Sequence, residues 1–317
     1  MQTRTALLGA ACAVGATFCF SFNDLTVKWL SGSYPLHELT LLRSALGLVL
    51  ILGLLVPLMG GYRTLRTRRP LPHIARGLCV VLANGFFFLG LAELGLADAV
   101  AIFFISPLVI TIFSVVFLRE RVGPRRWFAV LIGLIGVMIM VKPGTSAFTP
   151  YALLPMVAAV CYASLHMLTR MIGGTESALT MTFYIQFTFL LSSIAIGLGL
   201  GDGRFDVYES ASLQFLFRSW TVPGWSDVPF FVVMGVCSTA GGFLISQAYK
   251  LSEAAFVAPF EYLTLPLAIF WGYLIFDDWP TPSEWVGISL IIGSGLYMVY
   301  RETRTQSPAR LLPKARR

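Results

Sequence analysis

Apolar runs of about 20 residues recur along the whole chain, and that is the length an α-helix needs to cross ~30 Å of hydrocarbon. Ten such runs can be read, at 6–29, 36–58, 73–94, 97–118, 124–141, 150–172, 178–199, 228–250, 254–276 and 283–300. The connections are short except for a basic loop around 63–76 and a polar stretch over 201–227. Within the latter, the aromatics of 210–220 suit a short helix lying in a headgroup layer. Nothing is left over for a soluble catalytic domain. The first run superficially resembles a signal peptide, with its lone early Arg4. It continues through Cys19, Phe20, Ser21 and Phe22 without a small-x-small cleavage site, so it reads as a retained first span.

Composition turns this pattern into a membrane assignment. Of 317 residues, 56% are apolar and only 12% charged, about half the charged fraction of soluble domains. The net charge of +7 does not suggest a nucleic-acid partner, because the basic residues sit in short clusters between apolar runs. Their distribution sets the orientation instead. Arg4, the arginines of the 63–76 loop, Arg119, Arg121, Arg125, Arg126, Arg170, Lys250 and the basic C-terminal residues fall on one side. Lys28, Arg43, Lys142, Arg204 and Arg218 fall on the other, so 18 of the 23 basic residues accompany the N-terminus. Both termini are therefore expected in the cytoplasm of a multi-pass inner (plasma) membrane protein. The tail after residue 301 is expected to be solvated and to touch anionic headgroups at most. Cys12, Cys19, Cys79, Cys161 and Cys237 lie in apolar runs, odd in number and without CxxC spacing. They read as packing residues, with no metal site and no cofactor implied.

The two halves echo each other. The stretch from Ala97-Asp98-Ala99-Val100 through Ser106-Pro107 closes at Glu120 and Trp127. It has a counterpart running from Ser252-Glu253-Ala254-Ala255 through Leu265-Pro266 to Asp277-Asp278 and Trp285. With five spans per half, the second copy is inverted, and inverted repeats place a solute site near the midplane. On these residues the chain resembles the drug/metabolite transporter superfamily, EamA type, over essentially its whole length. The resemblance implies an all-α membrane protein of ten helices as two inverted five-helix repeats, 1–145 and 146–301, followed by the tail 302–317. It also implies a cavity lined mainly by spans 1, 3, 4, 6, 8 and 9, and alternating access without ATP. Members move amino acids, S-adenosylmethionine, riboflavin or cationic drugs. The chain departs from the family pattern by adding Glu261 before Pro266, and by carrying Asp277-Asp278 where the first half has one exit glutamate.

A charge at mid-membrane costs about 2.5–3.5 kcal/mol on insertion scales, so each needs an explanation. Asp24 and Lys28 are four apart on one helix face and can neutralise each other. Asp24 can equally form a structural ion pair with Arg43 across spans 1 and 2, since both lie roughly 10 Å deep. His37 and Glu38 are expected to be solvated at the outer rim. Glu261 is an acid about two turns into a span with no base within four residues. His166 lies at nearly the same depth in span 6, so the two form a candidate substrate-binding or coupling site. That site could exchange a proton for a cationic solute group. Asn84 is a further candidate, as are Phe87, Phe104 and Tyr262, whose rings could stack on a planar or cationic solute. Pro107, Pro155, Pro259 and Pro266 interrupt spans and are candidate hinges.

The function read from this pattern is secondary active transport of a small metabolite, either an amino-acid-like or amine solute or a planar heterocycle. The alternatives are an intramembrane enzyme, or a channel or scaffold without transport. The enzyme lacks support, since the three histidines lie on different spans with no HExxH, and Ile292-Gly293-Ser294-Gly295 makes no GxSxG elbow. No filter-like loop marks a channel. Oligomeric state and direction of transport are not legible in the pattern, because one cavity serves both directions.

Overall fold

A computed structural model describes residues 2–67, 69–118, 123–144, 148–172, 176–251 and 260–305. These are helical, with no strand among the described residues. In order they form α1 (Gln2–Leu30), α2 (Leu36–Leu50), α3 (Val56–Leu58), α4 (Pro70–Glu93), α5 (Leu96–Phe103), α6 (Ser106–Leu118) and α7 (Pro124–Val141). There follow α8 (Leu153–Ile172), α9 (Ala178–Leu200), α10 (Ala211–Phe217), α11 (Val228–Leu251), α12 (Thr264–Phe276) and α13 (Pro282–Thr305). A π turn over Ile51–Leu55 joins α2 to α3. Among the described residues, seven segments are long and apolar enough to cross a membrane: Leu8–Leu30, Leu36–Leu58, Pro70–Glu93, Leu96–Phe117, Pro150–Thr169, Ala178–Leu200 and Val228–Ala248. Trp127–Val141 and Thr264–Phe276 are shorter apolar helices.

The helix ends follow local chemistry. Pro70, Pro124 and Pro282 open their helices, where the missing N–H has no intrahelical partner to lose. Ser177 caps α9 by accepting the Thr180 N–H at 3.0 Å. The expected short helix in the long connection is α10, capped by Ser210.

Helices pack chiefly as α1 on α11, α4 on α8 and α7 on α13, with α2 lying between α9 and α11. Small residues permit the close approach. Gly136 of α7 and Gly287 of α13 face one another, and a Cβ on either would lie within 2.9 Å of the other's carbonyl oxygen. The connections alternate between two ends of the bundle. At one end Lys28 donates to the Leu91 and Leu94 carbonyls at 2.8 and 2.6 Å, and Lys142 pairs with Glu284 at 3.0 Å. At the other end Thr67 donates to Glu176 at 2.8 Å, Arg76 to Thr169 at 2.9 Å, and Thr180 to the Thr64 carbonyl at 2.7 Å.

The connection over 201–227 is a strap across the first of these ends. Arg218 donates to the Ser31 carbonyl at 3.0 Å, and Ser210 to Glu93 at 2.7 Å. Tyr34 donates to Asp227 at 2.6 Å, and that bond holds its phenol pKa above the ordinary value. The strap overturns one expectation from the sequence. His37 and Glu38 are only 2% and 3% exposed, because the Trp220 ring packs edge-on to His37 at 4.6 Å and the Thr221 N–H donates to Glu38 at 3.0 Å. A charged acceptor that receives a backbone N–H is tolerated under cover.

Candidate functional site in the membrane interior

Two of the apolar runs are broken at corresponding places. The first run is α5 and α6, separated by a turn at Phe104 and Ile105, with Pro107 the second residue of α6. The later run breaks in a turn at Tyr262 and Leu263, with Pro266 the third residue of α12. Pro107 and Pro266 thus stand in first turns, where proline displaces no intrahelical bond, rather than kinking a continuous helix as expected. Pro155 likewise lies in the first turn of α8. Pro259 lies outside the described residues, as do Ser252, Glu253, Ala254 and Ala255 of the repeat.

The two breaks meet. Phe104 and Tyr262 are 8% and 6% exposed, and their rings stack on each other with centroids 4.9 Å apart and planes 22° from parallel. In this arrangement one face of each ring is taken by the other. Gly295 of α13 makes room for the pair, since a Cβ there would overlap the Tyr262 hydroxyl.

Glu261 adjoins this crossing and lies within electrostatic reach of both Tyr162 and Tyr262. His166 packs edge-on to Tyr162 at 4.4 Å, one helical turn along α8. The two residues paired from depth alone are thus both related to Tyr162, which spacing did not single out as a partner. Tyr162 continues into a file of rings, to Phe103 at 5.2 Å, on to Phe87 at 5.3 Å, and then to Phe88 at 5.6 Å.

The file ends at Arg43, which is 2% exposed. Its guanidinium lies over Phe88 and Phe189, 5.5 and 4.9 Å from the ring centres. Nη1 donates to Asn23 at 3.2 Å, and Nη2 makes a long bond of 3.5 Å to Asn84. Nε has no hydrogen-bond partner. Arg43 is therefore hydrogen-bonded to Asp24 only through Asn23, whose amide donates to Asp24 at 3.1 Å, while the two opposite charges attract across that amide. The direct Asp24–Arg43 pair expected from depth is replaced by this relay, because the Asn23 carboxamide stands between the two charges. Lys28 does not neutralise Asp24 either, since its ammonium caps the α4 carbonyls named above.

Beside Arg43, Gln186 of α9 donates to Ser238 and Thr239 of α11 at 3.2 and 3.3 Å. Gly47 permits this, as a Cβ there would collide with Gln186 and Thr239. A narrow cleft with about 50 Å³ of free volume runs past this region between α2, α4 and α9. Its polar lining comes from His37, Thr40, Asn84, Ser192 and Ser193. No cluster of three or more His, Cys, Asp or Glu side chains suited to a metal occurs among the described residues.

Residues 7–142 match the EamA-like transporter family. The chain is 28% identical over 306 residues to a riboflavin transporter of Rhizobium johnstonii, covering 96% of this chain and 95% of that one. It is also 28% identical to an S-adenosylmethionine uptake transporter of Rickettsia prowazekii, over 90% of each chain. The chain is thus similar to the EamA-like transporter family over its first half, and to named transporters over nearly its whole length. It is a multi-pass membrane protein, and its relatives are named as transporters rather than enzymes. A crystal structure of a protein 20% identical in sequence superposes with a TM-score of 0.60, over 97% of this chain and 100% of the other, which establishes likeness of fold. The chain thus carries its interior polar groups on helices from both of its halves.

Proposed function

We propose that this protein is an EamA-type secondary active transporter working by alternating access, with Glu261 as the coupling acid at a site shared by its two halves. The observation that carries the reading is the crossing of the two broken helices, where Phe104 stacks on Tyr262 beside Glu261. Broken helices at membrane depth are tolerated where they line a cavity, and they give two halves a place to rock about.

The architecture in this reading is ten spans in two inverted repeats, 1–145 and 146–301, with the tail 302–317. The packing supports it. If spans 1–5 correspond to spans 6–10, exchanging the halves turns the α1–α11 pair into the α8–α4 pair and returns α7–α13 to itself. The reciprocal contact of Gly136 and Gly287 lies at that self-corresponding pair. Both termini are cytoplasmic, as the basic residues indicate. The strap then closes the outer end.

The solute in this reading is a riboflavin-like planar heterocycle or an amino-acid-like solute of the S-adenosylmethionine kind, as the named relatives transport. The file of rings from Tyr162 to Phe88 suits a planar group, and Glu261 a positive one. Ionised Glu261 holds the cationic group, and protonation of Glu261 releases it. Proteoliposomes test this directly. Counterflow with riboflavin and with S-adenosylmethionine identifies the solute class, and an imposed pH gradient drives its accumulation. Glu261→Gln should abolish accumulation while the variant remains folded; unchanged accumulation would remove Glu261 from the coupling step.

A further inference from the structure

We infer that the cleft between α2, α4 and α9 is a ligand subsite in which Arg43 receives a carboxylate of a small solute. This goes beyond the coupling role given to Glu261, though it rests on the transporter reading for its purpose.

The argument begins with what Arg43 lacks. A guanidinium carries five N–H donors in a rigid fork and stays charged at any physiological pH. Here it is buried in an apolar span, 2% exposed, with no carboxylate bonded to it among the described residues. Its described hydrogen-bond partners are two neutral carboxamides, and one of those bonds is 3.5 Å long. Asp24, the acid nearest in the network, is bonded to Asn23 instead.

The idle donors share one edge. Nη1 is committed to Asn23, while Nε has no partner and Nη2 holds Asn84 only loosely. Nε and Nη2 together form the edge of an arginine that grips both oxygens of a carboxylate. Phe88 and Phe189 flank the guanidinium and fix its plane, so little freedom remains to be lost on binding.

Arg43 does not itself line the cleft but lies behind two residues that do. Asn84 and Phe189, both in contact with Arg43, line the cleft, and Thr40, Ser192 and Ser193 add hydroxyls. Its free volume of about 50 Å³ has room for a carboxylate group, with the rest of the solute in its open mouth. An incoming carboxylate displaces the long Asn84 bond and gains two charge-assisted ones. Charge also selects the ligand. One guanidinium balances one negative charge, whereas a dianionic phosphate would leave a net charge buried near Asp24.

The test measures ligand-dependent thermal stability of the full chain in phosphatidylcholine nanodiscs, with benzoate and its neutral isostere benzamide as probes. Benzoate should protect wild type at concentrations about tenfold below benzamide, the difference one charge-assisted fork supplies. Arg43→Gln should erase that preference, and Arg43→Lys should keep part of it. Asn84→Asp guards against a folding failure of the arginine variants. It places a carboxylate at the fork, so it should raise the melting temperature and abolish benzoate protection. Equal protection by the two probes, or a benzoate preference that survives Arg43→Gln or Asn84→Asp, overturns the assignment. A second arm adds phosphatidylglycerol. If that lipid alone protects wild type but not Arg43→Gln and blocks benzoate, the fork holds a lipid phosphodiester and the solute assignment fails. Protection is read without flux. A failure here leaves proton-driven accumulation through Glu261 standing, and a failure there leaves this subsite standing.

Discussion

Arg43 and Glu261 are both ionisable side chains inside apolar spans, and the protein holds them in different ways. Arg43 sits in unbroken α2, between side chains of α1, α4 and α9 that fix its position and plane. Glu261 sits at a break, immediately before the turn at Tyr262 and Leu263, with its aromatic neighbours contributed by α8 and by the broken run itself. A charge gripped from three helices is part of the scaffold, whereas one beside a helix break can change partners as the halves move. The contrast teaches that the same class of residue supports the packed structure in one place and serves motion in the other.

The largest expected effect separates the two. Arg43→Ala should lower unfolding stability by about 3 kcal/mol, because Asn23 and Asn84 lose their donor and Asp24 its nearby compensating charge. Glu261→Gln should change stability by less than about 1 kcal/mol while abolishing coupled accumulation. Thermal denaturation alongside proteoliposome flux measures both. If Glu261→Gln proved the more destabilising of the two, the comparison would be broken.

The crossing and the polar belt can be strained separately. Gly295→Ala drives a methyl into the Tyr262 hydroxyl and should cost about 1–3 kcal/mol by overpacking, with a parallel loss of counterflow. Gly47→Ala displaces Gln186 and Thr239 at a similar cost, but should spare the exchange rate of the folded fraction. Equal losses of exchange in the two variants would deny the crossing its special role.

A smaller effect is expected at the strap. Glu38→Gln weakens the charged acceptor for the Thr221 N–H and should lower stability by about 1 kcal/mol. A cysteine at position 206 should then label faster with an impermeant thiol reagent, in a background without the native cysteines. The smallest effect serves as the control. Leu82→Ala, half-exposed on the outer face of α4, should shift stability by no more than about 0.5 kcal/mol.

Much of the architecture was legible in the pattern, and the reason is physical. A bilayer demands long apolar helices whatever their neighbours, so the runs announced the helices at 36–58, 178–199 and 228–250 almost to their ends. The strap's short helix was legible through its aromatics. Depth estimates placed Arg43 level with Asp24, and Glu261 level with His166. They did not provide direction around the helix axis, so Asn23 was missed as the relay and Tyr162 as the common neighbour. A search for amides one residue from a buried acid would have flagged Asn23-Asp24.

What the sequence by itself determined is the solvent of this protein, its helical class and the supply of polar groups within its apolar runs, because hydropathy acts locally along the chain. Tertiary structure alone decided which of those groups meet. His37 and Glu38 are buried because a segment some 180 residues later folds over them. Lys28 serves the carbonyls of α4 rather than Asp24 because the end of that helix lies within reach of its long side chain. Phe104 faces Tyr262 because two helix breaks, far apart in the chain, are packed at one point. Such contacts depend on helix rotation and on which helices adjoin, and an apolar run carries little record of either.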